Sequence, residues 1–129
     1  GSFARDYGGI PGVELLMPWL HSEGLLKGHI NLADMIRLLC TAPAEFFGIQ
    51  QRKGRIQEAY DADFVLFDPS KTWTVEAAAL HNLNRYTPFE GWPFTGCVQE
   101  TWLRGECIFS RNEQKTQSAR GRFLKRGEN

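Results

Sequence analysis

The apolar residues of this chain follow a helical spacing in its first part and a strand-like pattern in its middle, and the change occurs only once. Between Ile30 and Phe47 apolar residues recur every three or four positions, which predicts a helix with one buried face. Residues 64–67 are continuously apolar between aspartates, which predicts a strand covered on both faces. Helices followed by strands, without alternation between them, predict an α+β arrangement.

Local signals place the ends of the helices. Asn31 is an expected N-cap, because its side-chain oxygen accepts an amide proton that the first turn leaves unpaired. Pro43 cannot donate to the preceding turn, so this helix is expected to end or kink near Cys40. A second short helix follows, with Thr41 as its expected cap and Gly48 as its left-handed stop.

Turn residues organise the middle of the chain. Residues 71–75 alternate around a tryptophan and predict a second strand. Residues 98–103 and 106–109 flank Arg104-Gly105, a tight-turn pair, and are expected to form a β-hairpin. Residues 84–93 are rich in proline, glycine and aromatics and predict a packed, irregular loop.

Composition and charge exclude several classes of function. The 129 residues are 42% hydrophobic and 23% charged, which is typical of a folded domain and not of a disordered chain. Fifteen basic residues balance fifteen acidic ones, so bulk charge gives no reason to expect a nucleic-acid or membrane partner. No apolar run approaches the roughly 18 residues that a membrane span requires.

The cysteines Cys40, Cys97 and Cys107 are odd in number and widely spaced, without a zinc-ligand pattern. We expect these cysteines to be buried and to pack as small hydrophobic residues. We also expect the protein to lie in the reducing cytoplasm.

Candidate catalytic residues are scattered. The histidines lie in different predicted elements and are more typical of packed or surface positions than of ligands, and aspartates at strand ends usually cap turns. These residues are His21, His29, His81, Asp61, Asp63 and Asp68.

The glycine-rich residues 8–12 precede a helix-like segment, residues 13–23. Glycines let the main chain approach a ligand closely, and amides at a helix start favour anionic or carbonyl oxygens. A plain turn is the alternative.

Several short segments, in this order and spacing, resemble the C-terminal part of the cyclic amidohydrolases, a group that contains allantoinase, dihydroorotase and dihydropyrimidinase. Residues 48–51, 61–67 and 121–125 look most like allantoinase, whereas the Pro-Phe-Glu-Gly loop is shared with dihydroorotase. The matching segments are Gly-Gly-Ile-Pro-Gly-Val-Glu (8–14), Ser-Glu-Gly (22–24), Thr-Ala-Pro-Ala-Glu-Phe-Phe-Gly (41–48), Lys-Gly-Arg-Ile (53–56), Asp-Ala-Asp-Phe-Val-Leu-Phe-Asp (61–68), Tyr-Thr-Pro-Phe-Glu-Gly (86–91) and Leu-Arg-Gly (103–105).

The resemblance implies a fold. Family members combine a (β/α)8 barrel with a small β-sandwich. Residues 1–52 would then be the last helices of the barrel, residues 53–110 strands and the packed loop of the sandwich, and residues 111–129 a basic polar tail. Ala59 departs from the pattern, because the family usually has glycine in that turn.

The resemblance also implies a chemistry that this chain does not complete. In the family a metal pair, usually zinc, is held by a His-x-His motif, a carboxylated lysine, two later histidines and an aspartate, and none of these positions maps here. We therefore expect binuclear zinc in the parent enzyme, no metal on this chain alone, and no catalytic or metal-ligating residue. Gly8 and Gly9 are the candidate substrate contacts, through main-chain groups that hold the ring amide.

The expected function is thus the C-terminal portion of an allantoinase-like enzyme of purine metabolism (allantoin to allantoate), inactive as this fragment. The alternatives are a dihydroorotase of pyrimidine biosynthesis and a non-catalytic binding or assembly module with the same fold. The expected partner is a small cyclic amide. A second copy of the chain is also expected, to cover the apolar stripe of Leu32, Met35, Ile36 and Leu39.

Overall fold

The computed structural model describes residues 9–83, 85–112 and 121–127, and the backbone alone of residues 115–116.

The first helix follows the glycine-rich segment. Helix α1 (Leu16–Trp19) continues into a π-helical turn, Leu20–Leu25. No helix within these described ranges is long and apolar enough to cross a membrane.

The second helix starts at a capping box. The amide of Asp34 donates to Asn31 Oδ1 at 2.9 Å, and the amide of Asn31 donates back to Asp34 Oδ2 at 3.3 Å. This reciprocal pairing satisfies two amides of the first turn. The expected N-cap is confirmed. Helix α2 comprises Leu32–Ile36.

The expected break near Cys40 is instead a change of helix type. After α2 the chain forms a π-helical segment, Arg37–Thr41, and then α3, Ala42–Phe46. Pro43 thereby falls in the first turn of α3, where a missing N–H costs nothing. Thr41 makes no cap, because its hydroxyl donates to the carbonyl of Arg37 at 3.4 Å. The left-handed stop at Gly48, with φ of +68°, is confirmed.

The apolar stripe of the second helix is not buried as a stripe. Met35 is buried, whereas Leu32 and Ile36 are exposed and Leu39 is only half-buried. The reason is that α2 packs against the π-helical turn of the first helix, while it is the first helix that contacts the sheet.

The strands form a four-stranded antiparallel sheet in the order β1-β2-β3-β4. Strands β1 (Phe64–Thr74) and β2 (Pro93–Leu103) are long, and β3 (Glu106–Ser110) and β4 (Lys115–Thr116) are short.

Residues 64–67 and 71–75 were expected to form two strands but share β1. The pairing of β1 with β2 is interrupted between Asp68 and Thr72, where Pro69 supplies no amide. The expected cover on both faces is also wrong, because Val65 and Leu66 are exposed on this edge strand.

The predicted hairpin is confirmed. Arg104 (φ 51°) and Gly105 (φ 78°) are both left-handed, as a two-residue hairpin turn requires. The amide of Gly105 donates to the carbonyl of Ala62 at 2.9 Å, and that of Arg104 donates to Asp63 Oδ1 at 2.8 Å. The turn is therefore tied to the segment that enters β1.

The core lies between the first helix and the sheet. Leu15, Val75 and Phe94 are buried there, with half-buried Trp19, Trp73, Leu80 and Phe89 around them. The loop predicted over residues 84–93 packs through buried Thr87 and half-buried Phe89, and the other described residues of the loop are exposed. Asn84 lies outside the described residues.

The basic tail contacts the domain near its C-terminal end. Phe123 is 89% exposed, and Leu124 is half-buried. The amide of Gly127 donates to the carbonyl of Gly48 at 2.9 Å, and the side chain of Arg126 lies across Gly48. The tail therefore meets the end of α3.

The cysteines differ in environment. All three thiols are free; Cys97 is buried, Cys107 is half-buried and Cys40 is exposed. The expectation of buried hydrophobic residues is therefore wrong for Cys40, which lies in the π-helical segment Arg37–Thr41. Partial burial nevertheless raises the pKa of the Cys40 thiol.

Candidate functional site

The glycine-rich segment before α1 is an open turn with an accessible main chain. Gly9 has φ of +119°, a conformation that L side chains rarely adopt, and nothing lies within 4 Å of the position a Cβ would take. The amide of Leu15 donates to the carbonyl of Gly12 at 3.0 Å and closes the turn that begins the helix. Gly8, the other expected substrate contact, lies outside the described residues.

The carboxylate of Glu14 links this segment to His81, which lies 67 positions later in the chain. Glu14 Oε2 accepts the main-chain amide of His81 at 2.9 Å, and its Oε1 lies 3.0 Å from His81 Nδ1. The neighbouring Leu15 is buried in the core. Glu14 and Leu15 therefore attach the residues that follow the Gly9 turn to the rest of the domain.

An apolar cleft borders the turn. Its volume is about 330 Å³, and Ile10, Val13, Leu16, Trp19 and Phe89 line it. Gly9 does not itself line the cleft, but its neighbour Ile10 does. The lining is apolar and contains no nucleophile and no acidic or basic side chain.

The described residues do not fit a metal centre. Among them, no three histidine, cysteine, aspartate or glutamate side chains lie close enough together to hold an ion. Buried His21 donates from Nδ1 to the carbonyl of Thr95 at 2.8 Å, and His81 is paired with Glu14. We therefore assign these residues no metal-dependent step.

Asp61 stabilises the loop before β1. It lies 2.7 Å from Lys53 Nζ and accepts from Arg52 Nη2 at 3.0 Å. The hydrogen bonds from Lys53 and then Arg52 hold the pKa of Asp61 below its usual value.

Lys53 bridges Asp61 and Asp63. Burial works against the charge of Lys53, but hydrogen bonds to the two carboxylates outweigh it and raise the pKa of this lysine. The two aspartates therefore hold the ammonium group of Lys53 in a structural role.

Asp68 caps the interruption within β1. Its Oδ1 accepts from the Ser70 hydroxyl at 2.8 Å and from the Ser70 amide at 2.9 Å, and these bonds lower the pKa of Asp68. All three strand-end aspartates thus stabilise local structure, as expected from the sequence, and none of them lines the cleft beside Gly9.

Sequence reasoning missed the pairing of Glu14 with His81, because these residues are 67 positions apart and neither belongs to a recognisable spacing. It did identify the unusual backbone at residue 59: Ala59 has φ of +68°, in the turn where the family usually has glycine.

The sequence motifs and the comparisons with known proteins agree on a class of protein, the cyclic amidohydrolases. The chain matches the Amidohydrolase family over residues 19–108 and belongs to that family.

Individual relatives give a more detailed comparison. Allantoinase from Streptomyces avermitilis is 40% identical over 124 residues, which is 96% of this chain and 27% of that protein. D-phenylhydantoinase from Escherichia coli O1:K1 / APEC is 36% identical over 126 residues, 98% of this chain and 27% of that protein. The solved D-hydantoinase (dihydropyrimidinase) from a Thermus species superposes with a TM-score of 0.89 at 28% identity, covering 98% of this chain and 28% of that one. The chain thus spans about a quarter of the length of these relatives.

Proposed function

We propose that this chain is the C-terminal portion of an allantoinase-like cyclic amidohydrolase, an enzyme that hydrolyses a ring amide and converts allantoin to allantoate. The observation that carries the proposal is the 40% identity to an allantoinase over almost the whole chain. The 36% identity to a D-phenylhydantoinase makes a hydantoin-type ring the second candidate substrate.

The contribution of this portion is to hold the substrate. Main-chain groups of Gly8 and Gly9 bind the polar edge of the ring. The exposed, left-handed backbone at Gly9 supports this role, since a side chain there would be strained and would narrow the approach. The catalytic groups and the metal pair, usually zinc, belong to the longer enzyme, where the metals would activate water.

The helices and the sheet belong to different parts of that enzyme. Residues 1–52 are the last barrel helices, residues 53–110 belong to the accessory β-sandwich, and residues 111–129 form the basic tail. This division is consistent with the second helix, whose Leu32 and Ile36 are 58% and 49% exposed and would contact other parts of the longer enzyme.

The test is a comparison of two polypeptides, the 129-residue chain and the longer enzyme that contains it, each assayed with allantoin, dihydroorotate and 5-phenylhydantoin. We expect no turnover by the chain alone and preferred hydrolysis of allantoin by the longer enzyme. Turnover by the chain itself would contradict the proposal, and preference for dihydroorotate would favour the dihydroorotase alternative. No activity of the longer polypeptide on any ring would favour the binding or assembly module.

A substitution at Gly9 tests the proposed substrate-binding role. In the longer enzyme, Gly9→Val is expected to raise KM at least tenfold with a smaller change in kcat, because it obstructs the main-chain contact. Gly105→Ala, which introduces a side chain at a left-handed glycine in the distant hairpin turn, is the matched control and should leave KM unchanged. An unchanged KM for Gly9→Val would remove Gly9 from the site.

A further inference from the structure

A second cleft lies between the segment that begins α1 and one face of the sheet. Its volume is about 440 Å³, and we refer to it as the sheet cleft. Val65, Thr101 and Phe109 pair across three neighbouring strands and form its floor. Val13 and Met17 form the opposite wall. Val13 also borders the cleft at Gly9, but the sheet cleft opens onto different residues.

Arg111, an exposed residue, contributes a positive charge to the lining of this largely apolar cleft. Arg111 Nε donates to the carbonyl of Val98 at 3.2 Å, and the guanidinium carbon lies 6.0 Å from the ring centre of Trp73. The main-chain amide of Arg111 donates to the main-chain carbonyl of Gln99 at 2.9 Å. These contacts hold the guanidinium over the aromatic ring and use only one of its nitrogens.

The charge of Arg111 has no carboxylate partner in the described part of the chain. The lining contains one acidic residue, Glu14, and both of its oxygens are engaged by His81. The terminal nitrogens of Arg111 are therefore suited to an external anion, since a guanidinium binds a carboxylate through two parallel hydrogen bonds.

We propose that the sheet cleft binds a small aromatic carboxylate, with its ring against Trp73 and Phe109 and its carboxylate on Arg111. The aromatic walls favour a ring, and the cavity volume suits a single one. The guanidinium, which has no carboxylate partner among the described residues, selects the anion over a neutral analogue. The proposal is independent of the ring-amide site at Gly9.

The experiment is an NMR titration of the ¹⁵N-labelled chain with phenylacetate and with phenylacetamide, its neutral counterpart. Phenylacetate should shift the indole N–H of Trp73 and the amides around Arg111 in a saturable way, and phenylacetamide should bind at least tenfold more weakly. Equal affinity for the two probes would overturn the proposal and indicate an apolar surface for a polypeptide. Absence of shifts up to about 10 mM phenylacetate would overturn it as well, because affinity weaker than this is not specific.

Two variants locate the site. Arg111→Gln is expected to raise the Kd for phenylacetate about tenfold, whereas Arg37→Gln, at an exposed arginine of the second helix, should not change it. Val13 is 96% exposed, so Val13→Trp can block the mouth of the cleft without disturbing the core, and it should abolish binding. Unchanged binding by Val13→Trp would overturn the proposal even if Arg111→Gln failed to fold.

Discussion

At Gly96 the first helical segment and the sheet approach each other too closely for a side chain. A Cβ at this position would lie 2.5 Å from His21 Nδ1 and 2.5 Å from the ring of Phe67, and φ is +104°. We predict that Gly96→Ala destabilises the chain by about 3 kcal/mol, from combined overpacking and backbone strain. Urea denaturation followed by circular dichroism measures this loss.

The matched control for that substitution is Gly105→Ala. Gly105 is also left-handed, with φ of +78°, but nothing lies within 4 Å of its Cβ position. Its loss should be about 1 kcal/mol, from strain alone. Equal losses at the two positions would show that the packing of His21 against Gly96 carries little energy.

Because of Asp61, the free energy of unfolding should depend on pH in the acid range. Because Lys53 and Arg52 lower the pKa of Asp61 in the folded state, this carboxylate stabilises the fold above the ordinary aspartate pKa of about 4, and that contribution is lost as pH falls through the lowered value. Asp61→Asn should cost about 1–2 kcal/mol at pH 7 and less at pH 3. Glu58→Gln, at an exposed carboxylate of the same loop, is the control for urea titrations at both pH values. If Asp61→Asn lowered the free energy of unfolding by the same amount at pH 3 and at pH 7, the ion-pair assignment would be contradicted.

Single residues were predictable where their role is local. Asp68 stabilises a turn two residues away, and its position after an apolar run indicates this. Glu14 could not be paired with His81 in advance, because that contact depends on how the helix packs on the sheet.

At the scale of elements, the capping box at Asn31 gives the most direct prediction. Asn31→Ala removes the acceptor for the amide of Asp34 and should reduce stability by about 1 kcal/mol, with loss of helical signal in urea denaturation. Asn31→Ser retains a side-chain acceptor and should stay within a few tenths of a kcal/mol of the parent chain. If both variants behaved alike, the cap would not be what starts this helix.

Elements defined by their own turn chemistry were predictable, and elements shaped by neighbours were not. Arg104-Gly105 specifies the hairpin because two left-handed residues fit only a few turns. The π-helical segment before Pro43 and the joining of two expected strands into β1 depend on the hydrogen-bond register, which apolar periodicity does not encode. The second helix was expected to bury its whole apolar stripe because its pattern is amphipathic. The π-helical turn of the first helix covers only part of it, so Met35 is buried whereas Leu32 and Ile36 are exposed.

At the scale of the whole molecule, uncovered apolar side chains predict self-association. Phe46 and Phe47 at the end of α3 are 76% and 60% exposed, and their burial between copies would be favourable. We expect the scattered-light mass of the purified chain to rise with concentration. The double substitution Phe46→Ser and Phe47→Ser should weaken this association at least tenfold.

The control for self-association is Ile56→Ser, which removes an apolar side chain that is 89% exposed but lies in the loop after α3. It should leave the association unchanged. A chain that stays monomeric at all concentrations would contradict the prediction.

Family membership could be predicted from the sequence because several short motifs occur together in a fixed order, and the match over residues 19–108 confirms it. The candidate site was only partly predictable. The glycine turn is visible in the sequence, but the cleft beside it and the sheet cleft are products of packing.

The central claim is our proposal that this chain is part of a larger metallohydrolase whose metal ligands are not among the described residues of this chain. Its most direct test is the zinc content of the purified chain after equilibrium dialysis against zinc, measured by atomic emission. We predict less than about 0.1 zinc per chain, because the ligand set that such a site requires is absent from the described residues. One or two tightly held zinc ions per chain, lost on substitution of its own histidines or aspartates, would contradict the claim.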